Sequence, residues 1–350
     1  MKIGMMGAWN TDSGASIHAE FIGREWVRAG HNLTVFSFYE YNFHGTAIVD
    51  RDEEYVIRCF TTSTADRVTL DAVPLLTTDY EILVVQDLGM LPKDHLGKIF
   101  HWIKRRARTV NVIHDGKLSD DPSFYQFDWD AIVGFDQRYM DFLKEAYPAE
   151  LLHIIPYPCH PLRLGDKDRA REKLNLPKES KIVFMFGPAS KDGADTIPWI
   201  SDINSRYPIL VLVVTRSDEA LEKVRRLSRR VPTEVRQETL TLSRLYDYLH
   251  ASDALVINKR SRPHVVVSST VFQCLGSGCP IIVRDSNCVE TLDKEVLKFS
   301  TEKEFRDNLT DVFNEGEKFK TTIREAKRYV ERNSARAIAG RYIKLFESLR

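Results

Sequence analysis

Short continuous apolar runs recur along the first half of the chain, at residues 1–6, 32–38, 81–85, 109–113 and 131–133. Runs of this length and composition predict strands buried on both faces. Between them, residues 17–29 and 96–108 repeat their apolar positions at helical spacing, and Gly30 supplies a helix stop. Prolines at residues 154–158 and a polar run at 165–168 mark a boundary. A second set follows, with strands expected at 181–186, 209–214, 254–257 and 280–283. Its helices are expected at 217–229, at 242–251, at 268–275 before Gly276 and Gly278, and at 335–349 after Asn333-Ser334. Alternating strands and helices predict an α/β protein of two βαβ domains in tandem. Ligands of such domains bind in a crevice at the carboxyl ends of the strands.

Composition narrows the class. The 350 residues suit two domains, and 43% hydrophobic with 29% charged residues describes a globular chain. Lys plus Arg and Asp plus Glu are equal at 50 each, which argues against a general nucleic-acid binder. The five cysteines are scattered without a C-x-x-C pair, so neither a disulfide framework nor a zinc site is expected. No apolar run approaches the roughly 20 residues of a membrane span. The N-terminus enters a strand without a signal-peptide core, so a cytoplasmic location is expected. The basic run at 102–108 suits either a solvated helix face or a peripheral contact with the inner face of the membrane.

Three stretches carry candidate chemistry. Gly14 and Ala15 follow the first strand, allow close backbone approach, and lead into a helix whose N-terminus suits an anion. His114 and Asp115 end the strand at 109–113, where an imidazole can hydrogen-bond a sugar hydroxyl or orient a reacting group. Lys259, Arg260 and Arg262 precede Ser268 and Ser269, and either serine can cap the next helix. Cations beside a helix N-terminus at a strand end make a diphosphate clamp. Asp128 and Asp130 read as a surface turn rather than a catalytic pair. No G-x-S-x-G, H-E-x-x-H, Walker A or D-x-D motif occurs, and no metal site is expected.

These residues resemble the retaining GT-B glycosyltransferases, especially the family 4 group, along nearly the whole chain. Ser13-Gly14-Ala15 through Gly30-His31-Asn32 is similar to that family's glycine loop, long helix and G-H-x-V-x-V strand. Ile155-Pro156-Tyr157-Pro158 is similar to its linker, and Leu275-Gly276-Ser277-Gly278-Cys279-Pro280 to its M-A-x-G-x-P segment, with Glu290 trailing it. Arg341-Tyr342 through Leu345-Phe346-Glu347 is similar to its closing helix.

The resemblance implies two Rossmann-like domains facing across a cleft. Residues 1–162 would form the acceptor-side domain, 163–330 the nucleotide-sugar domain, and 331–350 a helix returning to the first. It implies a metal-independent hexosyltransferase without a cofactor, which moves a sugar from a nucleoside-diphosphate donor to an acceptor hydroxyl with retention. The acceptor would be a glycan, lipid or small molecule, taken by loops at 39–44 and 117–127. His114 and Asp115 would be catalytic; Gly14, Ala15, Ser268 and Ser269 would lie near the donor diphosphate, and Gln273 at its ribose. The departures are Val265, or at best its neighbour His264, and Gln273 at the two positions of the E-x7-E motif, and Pro188 and Asp192 at the phosphate-binding arginine and lysine. Lys191, Lys259 and Arg260 would replace those cations; the alternative is a non-catalytic GT-B-like subunit.

Overall fold

The apolar runs become the strands of two parallel sheets. The structure, a computed structural model, describes residues 1–40 and 47–350. By its internal packing the chain divides into two units: Met1–Pro158 with Pro263–Ser269 and Ala335–Arg350, and Cys159–Arg262 with Thr270–Ser334.

The first unit contains β1 (Lys2–Met6), β2 (Asn32–Phe38), β3 (Val56–Phe60), β4 (Ile82–Gln86), β5 (Arg108–Val112), β6 (Ala131–Gly134) and β7 (Leu152–Ile154). They pair in parallel in the order β3-β2-β1-β4-β5-β6-β7. The helices α1 (Gly14–Arg28), α2 (Ala72–Thr77), α3 (Lys93–Lys104) and α4 (Gln137–Leu143) lie between strands in the chain. Because β2 and β4 flank β1 on opposite sides, the strand order reverses between β1 and β4, and the crevice at that point is where ligands of such sheets bind.

The second unit repeats the plan. Its strands are β8 (Lys181–Phe186), β9 (Ile209–Val214), β10 (Thr233–Arg236), β11 (Ala254–Ile257), β12 (Ile281–Arg284) and β13 (Leu297–Phe299), in the order β10-β9-β8-β11-β12-β13. Here the reversal falls between β8 and β11. Its helices are α5 (Lys167–Leu174), α6 (Ser190–Gly193), α7 (Ile197–Asn204), α8 (Asp218–Leu227), α9 (Leu242–Ala251), α10 (Ser269–Cys274), α11 (Glu302–Phe313) and α12 (Glu317–Asn333). The last helix, α13 (Ala335–Ser348), belongs with the first unit.

Several boundaries differ from the sequence expectation. α1 begins at Gly14 rather than residue 17, because the Ser13 side chain accepts from Ser16 N at 3.2 Å and caps it. α3 is Lys93–Lys104 rather than 96–108, since Pro92 opens it and Arg108 already pairs in β5. The units divide at Pro158 rather than residue 162, and Cys159 N donates to Asn333 O at 2.8 Å within the second unit. Pro263–Ser269 packs with the first unit although it falls inside the expected second domain. In the basic run, Lys104 pairs with Asp130 at 2.8 Å and Arg106 donates to the Thr78 carbonyl at 3.0 Å. Among the described residues no helix is long and apolar enough to cross a membrane.

α13 packs on α1 through one aromatic group. Trp26 is fully buried, its Nε1 donates to Ala339 O at 3.1 Å, and its ring meets Tyr342 and Phe346 edge-on. Trp26→Ala should cost about 3–5 kcal/mol through lost contacts and a cavity. Trp26→Phe keeps most of the packing and should cost about 1 kcal/mol for the lost hydrogen bond. Urea unfolding of both variants checks the ordering.

Candidate functional site

In the first unit the carboxyl ends of β4 and β5 hold a buried polar group. His114, just past β5, is half-buried, and its Nε2 lies 3.0 Å from Gln86 Oε1 at the end of β4. His18, fully buried on α1, places Nδ1 3.1 Å from the same oxygen. Its Nε2 is 3.4 Å from the Tyr342 hydroxyl of α13. The two imidazoles meet edge-on at 5.1 Å, and Phe135 packs against both. Burial pushes His114 down to about 3. His18 is held far below the usual histidine range by burial first and His114 second. Both rings are therefore neutral near pH 7.

Two carboxyl groups lie next to this pair. Asp87 follows Gln86 with a left-handed φ of 57°, and its carboxyl is pushed up to about 7 by burial and then by the charge of Asp115. Asp115 is itself raised by burial, against the opposing pull of Lys93 and His264. Gly116 is needed for close approach: a Cβ there would sit 1.7 Å from Val265 O, and Val265 N donates to Gly116 O at 3.0 Å. This contact brings Pro263–Ser269 against the loop after β5.

Gly14 lies close to the same segment, since a Cβ on it would be 3.2 Å from Ser269 Oγ, and Ala15 is buried beside it. The Gly14 carbonyl accepts from the Tyr157 hydroxyl at 2.7 Å, and the Tyr157 ring packs on His18. The first unit thus brings together Gly14, Ala15, His114, Asp115, Ser268 and Ser269.

The expected serine cap does not form. α10 is a short helix opening at Ser269, whose amide turns back to Val267 O at 3.1 Å. The Ser268 hydroxyl is buried and has no partner among the described residues. A helix this short also carries little macrodipole.

In the second unit, loop and side-chain groups collect past β8, β11 and β12. Gly187 after β8 takes a left-handed φ of 66°, which favours glycine. Asn258 after β11 donates to Asp192 O at 2.7 Å and accepts from Arg284 Nε at the end of β12. The neighbouring Lys259 is lowered by burial, and its Nζ is 3.2 Å from Thr270 Oγ1. Arg260 is exposed. Gln273 is half-buried, with its main-chain carbonyl taking the Tyr246 hydroxyl at 2.9 Å. Lys191 is not a free cation, because its ammonium pairs with Glu219. Of the expected loops, 117–127 lies in the first unit, while 41–44 falls outside the described residues.

No known protein-family profile matches the chain. Solved structures match it from end to end. Sucrose-phosphate synthase from Thermosynechococcus elongatus is 14% identical with a TM-score of 0.68, covering 100% of this chain and 99% of its own. The pneumococcal O-GlcNAc transferase, solved with UDP and GlcNAc, is 11% identical with a TM-score of 0.68 over 100% and 99%. An alpha-glucosyltransferase solved with UDP and a 13-mer DNA is 12% identical with a TM-score of 0.63 over 99% of both chains.

The fold is GT-B.

Within this GT-B chain, sequence reasoning passed over His18, Gln86, Asp87, Asn258 and Arg284. The strand-end rule that singled out His114 applies equally to Gln86 and Asp87 after β4 and to Arg284 closing β12. His18 carried no such signal, because a histidine in the first turns of a helix is ordinarily unremarkable.

Asp87 allows a pH test. A folded-state value near 7 against about 3.9 unfolded means that the folded chain binds the extra proton. Stability therefore falls as pH rises from about 4 to about 7. Asp87→Asn removes this loss and suits a positive φ. It should gain about 1 kcal/mol or more over the parent at pH 7.5, and the gain should vanish by pH 4. Denaturant titrations of the pair at both pH values check this.

Proposed function

We propose that this protein is a retaining, metal-independent glycosyltransferase that moves a sugar, expected to be a hexose, from a nucleoside-diphosphate donor to an acceptor hydroxyl. The carrying observation is polar chemistry at or beside the strand-order reversal of each sheet: a neutral His114 in the first unit, and Asn258, Lys259 and Arg284 in the second. End-to-end likeness to two transferases solved with UDP supports the same reading.

Each group has a part. Lys259 and the exposed Arg260 offset charge on the leaving diphosphate, with Arg284 as a further cation. Gln273 takes the ribose hydroxyls, since an amide can both donate and accept. Gly14 and Ala15 let backbone approach the donor beside Ser269, and Ser268 offers a hydroxyl that has no partner among the described residues. His114 hydrogen-bonds the transferred sugar, and Asp115 stands next to it in the chain. Transfer with retention asks little acid–base work of the protein. The acceptor oxygen bonds to the anomeric carbon on the face from which the diphosphate leaves, and stabilising the departing charge is the main contribution.

Charge on the diphosphate grows toward the transition state, so losing Lys259 or Arg260 should lower turnover more than donor binding. A charge-assisted contact of roughly 1.5–3 kcal/mol corresponds to about one to two orders of magnitude. The measurement is nucleoside diphosphate released from a panel of UDP-, GDP- and ADP-sugars, with UDP affinity measured alongside. Lys259→Ala and Arg260→Ala should each lose turnover, whereas Lys191→Ala, already paired with Glu219, should change it little. Parental turnover in both Lys259→Ala and Arg260→Ala would overturn the clamp. Tight UDP binding with no release from any donor would favour the non-catalytic subunit, a reading motivated by Val265 and Gln273 at the paired-glutamate positions.

A further inference from the structure

The buried group around Gln86 has a definite polarity. Gln86 is fully buried, and its Oε1 is within hydrogen-bond distance of two imidazole nitrogens, His114 Nε2 at 3.0 Å and His18 Nδ1 at 3.1 Å. A carbonyl oxygen only accepts, so both nitrogens facing it must carry protons. A neutral imidazole has one N–H, which leaves His18 Nε2 and His114 Nδ1 as acceptors. His18 Nε2 then takes the Tyr342 hydroxyl proton at 3.4 Å. Among the described residues, His114 Nδ1 has no hydrogen-bond partner. The chain of donors runs one way: Tyr342 to His18, and His18 and His114 together to Gln86.

We propose that His18 and Gln86 are positioning residues that hold His114 as the tautomer protonated on Nε2, keeping Nδ1 as an acceptor for a ligand hydroxyl. The assignment of that hydroxyl to a sugar rests on the transferase reading above; the tautomer itself does not. The packing supports a fixed ring. His18 and Phe135 both meet His114 nearly perpendicular, at 5.1 Å and 5.0 Å, which restricts rotation about the side chain. Burial of both imidazoles removes the doubly protonated form that would erase the distinction between the two nitrogens. An amide turned the other way would direct its NH2 at both rings and put the proton of His114 on Nδ1, which is the opposite result.

The test is spectroscopic and uses the whole chain. Long-range proton–nitrogen correlation spectra report which imidazole nitrogen is protonated, and loss of a signal set in His114→Asn assigns His114. The parent should show His114 on Nε2–H. Gln86→Met, which keeps length but removes the acceptor, should convert it to a mixture of tautomers. His18→Phe, which keeps a ring but frees the amide, should also give a mixture. His18→Asn, whose amide can replace the Nδ1 donor, should restore the parental pattern. In donor turnover, His18→Phe should lose about tenfold in kcat with UDP affinity unchanged, and His18→Asn should recover most of it. A parental His114 on Nδ1–H, or one that stays on Nε2–H in Gln86→Met, would overturn the proposal. The parental spectrum decides even where a variant fails to fold. Absence of turnover in the parent would instead overturn the transferase reading and leave the tautomer result intact.

Discussion

Parallel pairing is the constraint on which the rest of this molecule depends. A strand whose two faces are both buried can pair its backbone only with neighbours running beside it. Each return to the same direction therefore needs a crossover, usually through a helix. A crossover has a fixed hand, so covering both faces of a sheet requires the chain to reverse its direction of growth once. Each sheet has one such reversal, between β1 and β4 and between β8 and β11. Adjacent loops there leave in opposite directions and open a crevice at the strand ends. Gln86, Asp87 and His114 emerge at or beside the first reversal, and Gly187, Asn258 and Lys259 at the second. Their clustering is a product of sheet topology before it is a product of chemistry.

The two ends are electrostatically unlike. In the first unit, burial drives two imidazoles and two carboxyl groups toward their neutral forms. In the second unit, the Arg284 guanidinium sits against the Asn258 amide and the Lys259 ammonium against the Thr270 hydroxyl.

Much of the fold was legible because its central strands are continuous apolar runs. β2, β8, β9 and β11 coincide with the expected segments, and α9 does too. The strands β3, β7, β10 and β13 were missed for a physical reason. These edge strands are short, and β3, β7 and β10 are only partly buried, as Ile154 at 46% exposure illustrates, so their pattern is mixed; β13 is only Leu297–Phe299. The candidate site was legible only where one residue carries its own signal, as His114 does at a strand end. Lys191 looked free because an ion pair with Glu219 depends on how α6 and α8 pack, which local sequence does not encode. His18 and Tyr342, 324 positions apart, share a hydrogen bond that no local pattern could announce.

That separation also has a bearing on biosynthesis. Trp26 and His18 leave the ribosome early, but Ala339 lies 313 positions after Trp26. At roughly 5–20 residues per second, the covering helix arrives about 16–60 s after the surface it covers. During that interval α1 presents an indole and an imidazole with no lid. The second unit has by then been synthesised in full, so it can finish folding while the first still waits for its last element. The amino-terminal half of this chain is translated first and completed last.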